Sequence, residues 1–148
     1  MLDLTLFSKK KDKRMIYEAE DISLFILNTT KELQCCNWNK LNEEQRFNTL
    51  MGLEPSFFAE ALYCFDGTSP VLFQFSDENK IQLLNRLANT YPTQMRKIIL
   101  KKNAYRETLF DFIDPQNQPK VSNIIQIAAD NSRDIRIKVA ARKAKERS

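Results

Sequence analysis

Apolar side chains in this sequence recur at intervals of three and four residues and almost nowhere alternate with polar ones, a spacing that an α-helix gathers on one face and a β-strand scatters over two. Over residues 15–37, Ile16, Ala19, Ser23, Ile26, Leu27, Thr30 and Leu33 draw one stripe and predict a long amphipathic helix. Asn42 followed by Gln45 has the spacing of a capping box, which opens a short helix through Phe47, Leu50 and Met51 toward Gly52. Pro55 suits a first helical position. It starts a segment, residues 55–65, that is apolar nearly all round apart from Glu60 and therefore belongs at the centre of the core.

Asp66-Gly67-Thr68-Ser69-Pro70 reads as a turn, and residues 71–75 as an extended apolar connector or a first helical turn. Ser76 or Asp77 caps the next helix, with Ile81, Leu84, Leu87 and Ala88 on one face and Tyr91-Pro92 as its stop. Thr93 opens a helix with Met95, Ile98 and Ile99 inward and Arg96, Lys97, Lys101 and Lys102 opposite. Residues 106–113 are expected to be helical as well, packing Leu109, Phe110, Phe112 and Ile113. Pro119 restarts helix with Val121, Ile124, Ile125 and Ala128, and Ser132 is placed to cap a terminal helix.

The expected fold is thus all-α, an irregular compact helical bundle of about seven or eight helices with essentially no sheet. A short HEAT-like stack of helical hairpins is the alternative. Pro55, Pro92 and Pro119 are 37 and 27 residues apart, which is no fixed period, so a regular solenoid is not supported. At 148 residues, folding buries roughly 68–70% of the unfolded chain's surface, enough for a core that needs neither metal nor disulfide.

The missing residue types exclude several chemistries. With no His, catalytic triads, Cys-His nucleophiles, HExxH zinc sites and His-ligated haem are ruled out. Two glycines, Gly52 and Gly67, cannot build a glycine-rich phosphate loop. Cys35, Cys36 and Cys64 form neither a zinc spacing nor an even disulfide set, which points to a reducing, cytoplasmic compartment, with delivery into another cell's cytosol compatible. No stretch reaches the ~18 apolar residues of a membrane span. No cofactor and no metal are expected.

Charge is uneven along the chain. Residues 9–14 carry five Lys/Arg against Asp12, residues 133–148 carry seven against Asp134 and Glu146, and residues 15–132 carry eleven against fifteen acidic groups. Residues 1–14 are expected to be a flexible basic segment, and residues 15–148 a single helical domain ending in a basic helix. Glu18, Glu20, Asp21, Glu43 and Glu44 fit the acidic first turns of helices. Glu60 belongs on a narrow solvent stripe, or else is buried with a cationic partner. Cys35 and Cys36 stand at a helix C-terminus, where the dipole disfavours thiolate, so structural thiols are the expectation.

No catalytic constellation emerges, and the expectation is a non-enzymatic protein–protein interaction module: an adaptor, a chaperone-like binder or an inhibitor. The Asn-, Lys-, Ile- and Phe-rich, Gly-poor texture is compatible with a bacterial accessory or effector-related protein. Trp38, Tyr63, Phe73, Tyr91 and Tyr105 lie near breaks or loops and are the candidate exposed aromatic contacts. Self-association through the helix at residues 15–37 is a further expectation. The alternative is nucleic-acid binding through the terminal helix, with Arg136, Arg142, Lys143 and Arg147 as the anion contacts. Against it, no helix-turn-helix pair precedes that helix and no aromatics interleave its basic residues.

Overall fold

The computed structural model describes residues 21–29 and 38–147, with the side chains of 27–29 and 144–147 outside the description. The fold is all-α. Among the described residues, seven α-helices run α1 (Ile22–Thr29), α2 (Glu43–Met51), α3 (Pro55–Leu62), α4 (Asp77–Thr90), α5 (Met95–Leu100), α6 (Gln118–Asp130) and α7 (Ile135–Arg147). Short 3₁₀ turns join several of them. The amphipathic faces of α4 and α6 pack together, α7 packs against α6, and α5 reaches α7. One contiguous core results, with Phe58, Leu62, Leu72, Leu84, Leu87, Met95 and Ile125 excluded from solvent.

The local signals that rest on hydrogen-bond chemistry form as expected. The Asn42 carboxamide accepts from Gln45 N while the Gln45 side chain accepts from Asn42 N, at 2.8 and 2.9 Å. Pro55 begins α3, and Ser76 caps α4 by accepting from Asn79 N. Tertiary contacts reinforce these ends. Glu43 Oε2 accepts from Ser76 N and Asn79 Nδ2, so a carboxylate of α2 sits at the N-terminus of α4. Arg86 donates to the carbonyls of Leu50 and Leu53, which closes the end of α2, and its guanidinium lies 4.3 Å from the Phe58 ring centre.

Three expectations are corrected and one is refined. The helix over residues 15–37 is not continuous: Asp21 is an extended residue bridged to Phe65, and its carboxylate accepts from Ser23 N and Leu24 N to begin α1. Ile26, a member of the expected stripe, is buried together with Ile22 and Phe25, which lie outside it, whereas Ser23 is only partly buried. These three buried residues face the protein's own core. Residues 15–20 and 30–37, with Cys35 and Cys36, lie outside the described residues, as does the basic segment 1–14. Second, the turn at Gly67 (φ 76°) forms as expected, and it also closes a two-stranded antiparallel hairpin, β1 (Phe65–Asp66) with β2 (Ser69–Pro70), too small to change the all-α class. Two-residue strands have no alternation for a sequence to display.

Third, residues 106–113 do not form an α-helix. Arg106 is left-handed at φ 66°, and only a 3₁₀ turn, Leu109–Phe112, follows, capped reciprocally by Thr108 and Asp111. Fourth, Ser132 accepts from Asp134 N, and it is the Asp134 carboxylate that takes up Arg136 N at the start of α7. Residues 71–74 form a 3₁₀ turn, the second of the two readings for that segment.

Lys80 is a buried cation that the helical pattern of α4 does not announce. It is 3% exposed, and its Nζ donates to the carbonyls of Phe75 (2.6 Å) and Phe112 (2.9 Å) with the Asp77 carboxylate 3.7 Å away. One ammonium thereby ties both aromatic 3₁₀ turns to α4. Phe73 and Phe112, from those turns, lie 5.3 Å apart.

Candidate interaction surface

α5 is amphipathic over six residues. Met95 and Ile98 turn inward, so the 3.6-residue repeat places Arg96, Lys97 and Leu100 on the opposite side, and Lys101 follows as the residue that ends the helix. The end of α3 supplies the facing wall. Between them lies a groove of about 420 Å³ lined by Glu60, Tyr63, Cys64, Arg96, Lys97, Leu100 and Lys101. Its cations are held by aromatic faces: Lys97 Nζ is 5.7 Å from the Tyr63 ring centre and Lys101 Nζ 5.3 Å from that of Phe65, distances at which the ring quadrupole attracts an ammonium. Leu100 contributes an apolar patch, 51% exposed.

Burial, followed by the nearby Glu60 carboxylate, pushes the Tyr63 phenol up to about 12, so it is a neutral donor at physiological pH. It donates to Gln94 Oε1 at 2.7 Å. Cys64 is buried, with its thiol directed to the Glu60 carbonyl at 3.4 Å. Glu60 is exposed, as the solvent-stripe reading required, and forms the rim. A smaller hollow shares Glu60, Tyr63 and Lys97 with the groove and adds Tyr91, Gln94 and Ser56. Two of the candidate aromatics, Tyr63 and Tyr91, are therefore brought to one place, both partly buried.

The chain leaving this groove at Lys101 enters a loop organised by one side chain. Asn103, 7% exposed, accepts from Tyr105 N (2.9 Å) and Glu107 N (2.8 Å), and donates to Ser69 Oγ (3.0 Å) and Glu107 Oε1 (2.9 Å). Ala104 N donates to Thr68 O, which fastens the loop to the hairpin tip. At its crest Tyr105 is 70% exposed, beside the left-handed Arg106. A side-chain amide that satisfies successive backbone amides offers the chain an alternative to helix, which is why the helical pattern failed here. The only sequence signal was an Asn in a polar stretch after a helix.

The other candidate aromatics are internal. Trp38 is 2% exposed. Its indole N–H donates to Asp66 Oδ2 (3.1 Å), and Arg46 stacks on it at 5.2 Å while donating to its carbonyl. Phe73 is also 2% exposed, beneath Phe112. Both were expected at the surface because they adjoin breaks, but a 3₁₀ turn folds back on the body and buries such residues.

On α7, Ile137, Ala140 and Ala141 dock against the body while Ile135 and Val139 remain exposed, so the apolar face is narrower than expected. Arg136 grips the Asp134 carboxylate at 2.9 and 3.0 Å, and these bonds hold Asp134 below the usual carboxylate range. Arg142 and Lys143 are exposed. The Arg147 side chain lies outside the described residues. Among the described residues, no group of three or more His, Cys, Asp or Glu is placed to hold a metal ion, and no helix is long and apolar enough to cross a membrane. No family model matches the chain, and comparisons with curated proteins and with solved structures return no match.

Proposed function

We propose that this chain is a non-enzymatic protein-interaction module, an adaptor, chaperone-like binder or inhibitor, that engages another protein through the Asn103 loop. The carrying observation is Tyr105: a large aromatic, 70% exposed, on a loop pinned by four hydrogen bonds to a single side chain. Holding an aromatic in place before binding lowers the ordering cost of association, and buried Tyr residues are frequent energetic centres of interfaces. Backbone strain at Arg106 accords with this, since strained residues persist at sites that position a neighbour. The absence of His from the sequence and the neutral, hydrogen-bonded Tyr63 phenol support the non-enzymatic reading. The buried Cys64 thiol accords with a reducing compartment.

The test is affinity purification of the tagged full chain from its native host after nuclease treatment, with wild type and Tyr105→Ala compared. A stoichiometric protein partner, reduced at least tenfold by Tyr105→Ala, is expected. Equal recovery by both chains would refute the role of Tyr105. A second reading, nucleic-acid binding through α7, is favoured by the exposed Arg142 and Lys143. It requires nucleic acid to be recovered and lost steeply as salt rises.

A further inference from the structure

Two exposed apolar patches of this chain carry rims of opposite charge. On α7, Ile135 and Val139 stand one turn apart on the side away from the docked Ile137, Ala140 and Ala141, and Ile135 is 69% exposed. Residues 135–143 supply four cations and no carboxylate. Arg136 is taken by Asp134, and Lys138 donates to the Ala129 carbonyl. Arg142 and Lys143, three and four residues beyond Val139, are exposed and extend its ridge.

The second patch lies on α3 and α1. Phe57 is exposed between Glu54 and Glu60, three residues before and after it, and both carboxylates are exposed as well. Phe25 of α1 meets the Phe57 ring edge-on, 6.3 Å between centres, and its neighbour Leu24 is exposed. Residues 21–29 and 54–62 contain no Lys or Arg, and they hold Asp21, Glu54 and Glu60. Glu60 is shared with the rim of the α5 groove, whereas Glu54 stands at the start of α3 without making a capping bond.

We propose that α7 of one copy docks on the α1–α3 face of a second copy, with Ile135 and Val139 against Phe57 and Leu24, and with Arg142 and Lys143 meeting Glu54 and Glu60. An apolar centre inside a polar rim is the common anatomy of a protein interface, and here both halves, with opposite signs, belong to one chain. The charges also fix the mode. Docking α7 on α7 sets cation against cation, and docking α3 on α3 sets carboxylate against carboxylate, each of which is repulsive. Joining unlike faces avoids both and leaves every copy with a second face to offer, so assembly runs head to tail into a ring or an open chain. Four apolar side chains are few beside the roughly 20–30 residues a side of a stable interface, so the association is weak, reversible and reduced by salt. It goes beyond the proposed partner binding, and neither face includes Tyr105.

The test is sedimentation velocity of the full, nuclease-treated chain over a hundredfold range of concentration, with the variants Arg142→Glu/Lys143→Glu and Glu54→Lys/Glu60→Lys. The wild type should associate as concentration rises. Each variant alone should do so at least tenfold more weakly, because both of its faces then carry one sign. Mixed in equal amounts, the two should recover association, since each face finds its opposite on the other variant. Reversing the two cations takes the formal net charge from +4 to zero, and reversing the two carboxylates makes the chain more positive, so gross attraction between the variants does not account for recovery. Lys102→Glu/Lys120→Glu, which reverses exposed cations outside both faces, should change association less than twofold. Dilution of the ¹⁵N-labelled wild type should move the amide signals of Phe57, Ile135 and Val139, which decides the matter even where circular dichroism shows that a reversal unfolds the chain. A wild type that stays monomeric, dilution shifts confined to other surfaces, association that survives either reversal, or folded variants that do not recover on mixing would each overturn the proposal. Association seen only before nuclease treatment would do so in favour of nucleic acid bridging the copies.

Discussion

Asn103→Ala tests whether one side chain holds the exposed loop. In the native chain Asn103 makes four hydrogen bonds. The two to the Tyr105 and Glu107 amides, and the one to the Glu107 carboxylate, involve exposed residues that water can satisfy, so each contributes about 0.5 kcal/mol, while the bond to buried Ser69 contributes about 1–1.5 kcal/mol. The gross loss is about 2.5–3 kcal/mol. Release of the loop lets Arg106 leave its left-handed conformation, which recovers about 1–2 kcal/mol. The expected net destabilisation is therefore about 0.5–2 kcal/mol.

In an Arg106→Gly background there is little strain to recover, so the same Asn103→Ala change should cost nearly the full gross loss of about 2.5–3 kcal/mol, about 1–2 kcal/mol more than in the wild type. Urea unfolding, followed by the fluorescence of the single, buried Trp38, measures all four members of this cycle. Amide exchange at Tyr105 and Glu107 reports the loop itself. Two results would refute the reasoning: a cost below about 0.5 kcal/mol with those amides still protected, or a cost that is the same in both backgrounds.

Two further predictions concern ionised groups. Burial lowers the Lys80 pKa from its ordinary value of 10.5, against the opposing pull of Asp77 and Glu43. Below the folded pKa both states carry the proton, and between that pKa and 10.5 only the unfolded chain does, so stability rises with pH across this window and is level above it. Lys80→Met should remove that slope, and it should destabilise the chain by about 1–3 kcal/mol at neutral pH by stranding the Phe75 and Phe112 carbonyls; urea midpoints from pH 7 to 11 check both. Glu43 has the opposite sign. The Ser76 amide, with Asn79 assisting, lowers its pKa from 4.5, so its contribution is present above 4.5 and disappears as pH falls through the lowered folded value. Glu43→Gln should flatten the acid limb of a thermal-stability profile between pH 5 and 2, and an unchanged limb would show that the carboxylate does not cap α4.

The helices and their inward faces could be read from the sequence because both depend on neighbours three and four residues away. The same holds for the capping box at Asn42, for Pro55 and for Ser76, where the partner is within one turn. What the sequence left undecided depends on contacts between residues far apart in the chain. Trp38 and Phe73 sit beside chain breaks, and only the return of their 3₁₀ turns onto the body, with Asp66 waiting for the indole N–H 28 residues later, buries them. Lys80 reads as a polar member of α4 until two carbonyls, 5 and 32 residues away along the chain, converge on its ammonium.

The same division runs through the interaction surface. Sequence alone singled out Tyr63, Tyr91 and Tyr105, and it set Arg96, Lys97 and Lys101 opposite Met95 and Ile98, since side-chain spacing fixes what shares a helix face. It had no means of pairing that face with the end of α3, which follows from how α3, α4 and α5 pack on a common core. Nor could it foresee the rigid Tyr105 crest, because the local helical preference of residues 106–113 was outweighed by bonds from Asn103 to the hairpin at Ser69 and to its own loop. Local periodicity determined most of the helices of this protein. Packing and long-range hydrogen bonding decided which of their side chains meet solvent, and so what the chain has to offer a partner.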